Sequence, residues 1–270
     1  HTDGSDKVAA GGPVGMGYVA KLVYYKGKEA HAGGAPWDGV NALQAAKIGL
    51  MAIDAQRETF RDKDNVRVHP IITKGGGAVN AIPNDVRMES YVRGASLEAI
   101  KEANTKINRA LAASAAAMGA NVVLKDRPGY TPLENEEQLY DLTCEIVKQC
   151  FGEDALVKRG RSTGCTDMGD VSAIMPVLHP HANGSIGTGH GKDYYVQDKK
   201  LGCLYPAECL VLTAAKLLAD DASLGKKVIA EAKPYFKSKE EYLAAIDAIT
   251  MDKDAVVYNE DGTITLNFTK

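Results

Sequence analysis

The six histidines of this chain are its best-placed groups for chemistry near neutral pH, and four of them fall in loop-like stretches. His190 lies in Gly187-Thr-Gly-His-Gly-Lys192, between glycines that allow close backbone approach, just past the apolar run Ala173–Leu178. Loops at strand ends are where open α/β sheets place their sites, so position alone makes His190 a candidate metal ligand or catalytic group. His179 and His181 stand two apart and would share one face of a strand. That spacing suits a metal ion, and a loop pair that holds nothing is the competing reading. His31 sits in the loop Gly27-Lys-Glu-Ala-His-Ala-Gly-Gly-Ala-Pro36, either as a functional group or as a side chain that bonds the loop itself. His69, among Val and Ile, reads as an ordinary strand residue.

Other chemistries fail on spacing. Gly187–Lys192 is no phosphate loop, because Ile186 stands where its first Gly should be and Asp193 where Ser or Thr should follow. Ser162, Ser172 and Cys165 lack a G-x-S-x-G setting. Glu136-Glu137 and Glu240-Glu241 read as solvated helical turns.

The elements that must position the histidines follow from periodicity. Val19, Lys21, Val23 and Tyr25 alternate with Ala20, Leu22 and Tyr24, a first strand stopped by Lys26-Gly27-Lys28. Asn41–Phe60 carries apolar residues at helical spacing. Val66–Thr73 and Asp85–Arg93 read as strands, Leu97–Met118 as a helix opened by Ser96, and Asn121–Lys125 as a fourth strand. The order β-α-β-β-α-β predicts an α+β, ferredoxin-like split sandwich, a fold shared by many unrelated proteins. Arg127–Pro132 is punctuated like a linker. Beyond it come a helix over Glu134–Phe151, a buried strand at Ala173–Leu178, a helix over Pro206–Leu218, another near Lys239–Ile249, and a hairpin of Ala255–Tyr258 with Thr263–Phe268. The boundaries expected are a short lead-in at 1–13, the sandwich at 14–126, a second α/β part at 127–222 and an extension at 223–270. The second part shows too few strands to close a sheet of its own. The chain also begins at His1 without an initiator Met, as a processed or partial product does.

Composition narrows the function classes. The 270 residues are 45% hydrophobic and 25% charged, as in globular domains. A net charge of −3 gives no basic field for nucleic acid. No unbroken apolar run approaches the roughly 20 residues of a membrane span. Five Cys without a C-x-x-C pair argue against a disulfide framework and for a reducing, cytoplasmic setting.

Gly27-Lys-Glu-Ala-His-Ala-Gly-Gly-Ala-Pro-Trp-Asp-Gly-Val-Asn-Ala42 resembles the lid-domain signature of the M20 family of metallopeptidases and amidohydrolases. Gly76-Gly-Ala-Val-Asn80-Ala-Ile-Pro83 is similar to that family's next block, with Arg93 thirteen residues after Asn80. Thr166-Asp-Met-Gly-Asp170-Val-Ser and Gly189-His190 resemble its C-terminal blocks, in the style of aminobenzoyl-glutamate and N-acyl amino acid hydrolases. The likeness spans residues 14–220.

The resemblance implies a ferredoxin-like lid that makes a homodimer, joined to the C-terminal part of an α/β metallohydrolase domain. It implies zinc, dinuclear in the family, with Mn or Co as alternatives. It gives His31 the oxyanion role in the partner's site, and Asn80 and Arg93 the substrate carboxylate, which a guanidinium grips bidentately. Thr166 and Asp167 become substrate-binding residues and His190 the last metal ligand. His1, standing a fitting distance before the first strand, becomes the metal histidine that precedes the lid. The substrate implied is a small amide or dipeptide beside a carboxylate, with no nucleic-acid or membrane partner. The family's base, the first Glu of a Glu-Glu pair ahead of the lid, has no counterpart before Val14. The isolated chain is therefore expected to hydrolyse little or nothing. The alternatives are a non-catalytic dimerisation module or a truncated product. A ferredoxin-like RNA binder would need sheet-face aromatics, and the third strand offers Tyr91 alone.

Overall fold

The computed structural model describes residues 1–12, 14–158 and 160–270, which divide into two compact units: Met16–Pro132 with Glu240–Lys270, and His1–Gly15 with Leu133–Lys239.

Strict alternation builds the first of these units. Strand β1 (Gly17–Lys26) buries Val19, Lys21, Val23 and Tyr25 and leaves Tyr18, Ala20, Leu22 and Tyr24 half-exposed. Helix α1 (Ala42–Gln56) starts where the Asn41 side chain accepts from the Leu43 and Gln44 amides. Strand β2 (Ile71–Lys74) precedes β3 (Asp85–Gly94), helix α2 (Leu97–Ala117, capped by Ser96) and β4 (Asn121–Pro128). The expected strand Val66–Thr73 is split into Arg67–Val68 and β2, because Pro70 falls between them and has no N–H for a ladder. Strands pair antiparallel in the spatial order β4, β1, β3, β2, the split sandwich read from the sequence.

The sheet is longer than that reading. Strand β5 (Met251–Asp254) adds to the free edge of β4, with Met251 opposite Asp126 and Asp254 opposite Val123. The hairpin β6 (Val256–Tyr258) and β7 (Ile264–Leu266) follows, and Ala255, Val256, Leu266 and Phe268 pack into the same core as Ile107, Leu111 and Leu124. Residues read as a C-terminal extension thus complete this core and close one of its two edges.

One group in that core is charged. The Lys21 ammonium, buried under α2, bonds Asp126, Asn108 and the Asn104 side-chain oxygen (2.8 Å). The other Asp126 oxygen accepts from the Asn104 and Asn108 amides at 2.7 and 2.9 Å. All three ammonium protons and both carboxylate oxygens are therefore used. Burial pulls the Lys21 pKa down, and the adjacent carboxylate opposes the shift.

The second unit is mostly helix. Helix α3 (Glu137–Phe151) packs Cys144, Ile146 and Val147 with Val8 and Ala10. Helix α4 (Met168–Ser172) is a single turn, and Ala173–Leu178, expected to be a strand, is a turn followed by chain without regular structure. It makes a single backbone bond to the α3 cap, Glu136 N–H to Val177 C=O (2.7 Å), and Pro176 has no amide for a ladder. Val8–Ala9 pairs parallel with Leu156–Val157, and Ser185–Ile186 antiparallel with Tyr195–Val196.

Helix α5 (Tyr205–Glu231) is broken at Ala219–Ala222, where the backbone leaves the helical region. Leu210, Val211 and Leu218 are exposed on it. An 18-residue window within Lys200–Glu231 reaches a mean hydropathy of 1.4 with 11% of it buried, so by length and composition the segment passes the test for a membrane span. A search for unbroken apolar runs misses it, because Glu208 and Lys216 interrupt the run. All five cysteines are free; burial pushes the Cys209 thiol up to about 11, with Cys150 and Glu208 adding to the shift.

Lys21→Met strands a buried carboxylate and should lower the unfolding free energy by about 3–5 kcal/mol, read from the urea midpoint. The double change Lys21→Met with Asp126→Leu should recover part of this and not all, since the buried Asn108 amide then stays without an acceptor. A single mutant as stable as wild type would show that the pair contributes nothing.

Candidate functional site

The His31 loop is fixed along its length by backbone bonds. Gly27 N–H donates to Asn84 C=O (2.8 Å), Lys28 and Val40 exchange bonds at 2.9 Å, and Ala32 N–H reaches Asn80 C=O (2.9 Å). Ile82 N–H donates to Ala30 C=O (2.9 Å), and His31 forms a bridge with Ala81. Gly27 is required, since a Cβ there would lie 2.1 Å from the Val40 oxygen. The chain carrying Asn80 is thereby strapped to the chain carrying His31.

Within this loop the His31 ring bonds its own backbone. Its Nδ1 accepts from the Gly34 N–H (2.9 Å) and the Gly33 N–H (3.2 Å). An Nδ1 that accepts two amide protons carries none, so the neutral ring holds its proton on Nε2, and His31 is exposed. The loop fixes the tautomer, and the tautomer leaves an N–H donor on an exposed ring.

Arg93 stands elsewhere on the sheet. The register of β1 with β3 runs from Lys26 opposite Asp85 to Tyr18 opposite Arg93. His31 and Asn80 belong to the Lys26–Asp85 end, while Arg93 lies about 26 Å further along at roughly 3.3 Å per residue. One copy of the chain does not bring Asn80 and Arg93 onto the same carboxylate, because an extended strand separates them. Around Arg93 the open face is aromatic. Its Cζ is 5.6 Å from the Tyr91 ring centre, the Tyr18 and Tyr91 rings are 4.4 Å apart, and Tyr130 meets Tyr18 edge-on at 5.6 Å. Reading β3 alone found Tyr91; Tyr18 and Tyr130 join it only through strand pairing.

The second unit gathers three imidazoles. His1–Ser5 runs beside Ala182–Ser185: Ala182 N–H donates to His1 C=O (2.8 Å), Asp3 N–H to Ala182 C=O (2.8 Å), and Gly184 N–H to Ser5 C=O (2.9 Å). This brings His1 Nδ1 to 3.1 Å from His179 Nε2, and one nitrogen from each of His1, His179 and His181 lies within 4.8 Å of the others. Among the described residues this is the one such cluster of three or more His, Cys, Asp or Glu. Asn135 ties it together, accepting from His179 N–H (3.0 Å) and donating to Gly12 C=O (3.0 Å), while Gly12 N–H bonds His179 C=O (2.7 Å). No sequence signal marks Asn135. Burial lowers the His179 pKa, the N-terminal amine lowers it further, and Asp167 opposes both.

Thr166 and Asp167 open α4, with the Thr166 hydroxyl 3.0 Å from the Asp167 carboxylate. Asp167 therefore acts electrostatically on the histidine cluster. His190 is exposed on a tight turn at φ 63°, set by Gly191 N–H to Thr188 C=O (2.7 Å) and by Thr188 N–H to the Asp193 carboxylate (3.1 Å). It is not among the three clustered imidazoles.

Residues 17–118 match the model of the M20 peptidase dimerisation domain. The chain is 30% identical over 212 residues to the Xaa-Arg dipeptidase of Mus musculus, covering 75% of this chain and 48% of that protein. It is likewise 30% identical over 207 residues to the Xaa-Arg dipeptidase of Homo sapiens, covering 73% of this chain and 46% of that one. The chain thus spans about half the length of the curated relatives it matches. Among solved structures, the Bacillus subtilis YXEP protein, a dinuclear metal-binding peptidase from the M20 family, superposes with a TM-score of 0.63 at 17% identity, over 81% of this chain and 56% of that one. An aminobenzoyl-glutamate utilization protein from Klebsiella pneumoniae gives 0.51 at 21% identity, over 63% and 44%. Residues 17–118 are the dimerisation domain of the M20 peptidase family.

Proposed function

We propose that the protein takes part in metal-dependent hydrolysis of an amide or dipeptide bond beside a carboxylate, as a homodimer whose lids complete each other's sites. The observation that carries the reading is the His31 ring, locked by the Gly33 and Gly34 amides with Nε2–H outward. A neutral, preorganised N–H is the group needed where a carbonyl oxygen becomes negative. A zinc-class ion, when bound, would polarise that carbonyl and lower the pKa of the attacking water. Three clustered imidazoles, one with a buried Nδ1 that no described residue bonds, fit such an ion. Arg93 is the donor for the substrate carboxylate, held beside Tyr91. The Xaa-Arg dipeptidase relatives support a dipeptide as substrate.

The sheet geometry supports a shared site. His31 and Asn80 stand at one end and Arg93 at the other, so a site using all three would draw on two subunits. Among the described residues strand β2 pairs on one side only, with Ile71 exposed, and α1 exposes Ile48 and Met51. An open edge beside exposed apolar helix residues suits a second copy of the chain. Five free cysteines support a reducing, cytoplasmic setting.

Steady-state hydrolysis of dipeptides by the complete protein tests the roles. His31→Ala should lower kcat about 100-fold or more with little change in KM. Arg93→Ala should lower kcat/KM about 10- to 100-fold for substrates with a free carboxylate, and far less for their amides. An unchanged kcat in His31→Ala removes the oxyanion role. No hydrolysis by a wild-type dimer would favour a dimerisation or binding module instead.

Met51→Glu places a charge on the proposed interface and should shift the protein from dimer to monomer in sedimentation, with hydrolysis falling in parallel. A dimer that survives this change and Ile71→Lys would place the contact elsewhere.

A further inference from the structure

We propose that Tyr18, Tyr91 and Tyr130 bound a slot over Ala20 that takes a flat side chain, an aromatic ring or a guanidinium, of the residue whose carboxylate Arg93 holds. The place of that carboxylate rests on the function proposed above; the slot itself does not.

Strand pairing builds the slot. On the open face of the sheet Tyr91 of β3 stands directly opposite Ala20 of β1, and Ala20 stands directly opposite Arg127 of β4. Neighbouring strands are about 4.8 Å apart, so Tyr91 and Arg127 rise roughly 10 Å from each other with a single methyl group between them. The Arg127 head is drawn toward β5: its Nη1 donates to the Asp126 and Met251 carbonyls, both at 2.9 Å, and its Nη2 lies 3.6 Å from the Asp252 carboxylate. Tyr18, two residues before Ala20 on the same face, closes the third side, with its ring 4.4 Å from that of Tyr91 and tilted by 36°. Tyr130 braces Tyr18 edge-on at 5.6 Å. The backbone is shaped to admit this packing, since a Cβ on Gly129 would lie 2.4–2.6 Å from Tyr18 ring atoms. Tyr91 and Tyr130 nonetheless stay 44% and 38% exposed, whereas Tyr25, which serves the core, is fully buried.

The chemistry follows from the rings. Aromatic groups pair at centre distances of about 4.5–7 Å, which the gap over Ala20 admits. A guanidinium also lies flat on such rings, while an ammonium is compact and strongly hydrated. Arg93 Cζ is 5.6 Å from the Tyr91 ring centre, so a carboxylate gripped by Arg93 leaves the adjoining side chain within reach of Tyr91.

NMR titration of the tyrosine-ring resonances of the purified 270-residue chain tests the slot without any activity assay. N-acetyl-phenylalanine is compared with N-acetyl-cyclohexylalanine, and N-acetyl-arginine with N-acetyl-lysine. Each pair keeps its charge and differs in flatness. The flat member of each pair should bind about 3- to 10-fold tighter, as aromatic pairing adds beyond buried area, and should shift the Tyr18 and Tyr91 resonances. Ala20→Leu keeps every tyrosine and arginine but fills the gap, and it should abolish that preference, as should Tyr91→Leu. Far-UV circular dichroism of each variant separates a lost slot from lost folding. Equal binding within either pair, a preference that survives Ala20→Leu, or no binding by the wild-type chain overturns the slot. Amides of the same four compounds that bind as tightly as the acids, with the preference kept, leave the slot standing and remove the carboxylate role of Arg93. Absence of dipeptide hydrolysis by the complete protein, with the preference intact, would sink the hydrolase reading alone.

Discussion

A buried lysine can persist in a protein core only if every proton it carries finds an oxygen. Lys21 meets that condition through Asp126, Asn104 and Asn108. The four residues come from β1, β4 and α2, so satisfying one ammonium joins the central strand, its neighbour and the covering helix. The arrangement also fixes register. Shifting β1 by one residue would turn Lys21 to the open face and bury Tyr18, Ala20, Leu22 and Tyr24 in its place, at the cost of an unpaired buried Asp126. Everything that depends on which residue of β1 lies opposite which residue of β3 depends on this network.

What depends on it is the two-ended character of the lid. The register puts Lys26 beside Asp85 and Tyr18 beside Arg93. His31 and Asn80 hang from the first end, and Arg93 stands among tyrosines at the second. Strands are stiff and extended, so a rigid sheet keeps the end that carries His31 and the position of Arg93 about 26 Å apart along β3 in one copy. In the proposed homodimer, the second copy would bring opposite ends of two sheets together. The edges of the sheet agree with that use. β5 covers the edge of β4, and β2 keeps a side without a strand partner among the described residues.

Chemistry in the other unit depends on backbone clamps more than on regular structure. Its strands are two residues long, and the three imidazoles are brought together by the parallel run of His1–Ser5 along Ala182–Ser185 and by the amide of Asn135. The first of these links positions more than 170 residues apart, the second positions 44 and 123 residues apart, and each is a few hydrogen bonds wide. Removing one clamp therefore affects the geometry of the whole cluster.

Alternation and helical spacing were enough to read the split sandwich, its cap at Ser96 and the terminal hairpin, because these are set by neighbours within a few residues; which of Asp38 and Asn41 caps the first helix was left open. The motif around His31 was legible for the same reason: glycines placed every few residues permit the tight loop that bonds Nδ1. Periodicity did not reveal that Pro70 splits a strand or that Ala173–Leu178 fails to become one. Those outcomes turn on whether a ladder partner is present. Nor did it show that the last twenty residues finish the first core. The pairing of His1 with His179 and His181, the gathering of three tyrosines around Arg93, and the separation of Arg93 from Asn80 were decided by tertiary structure alone. Each depends on strand register or on contacts between distant segments, and local sequence carries no record of either.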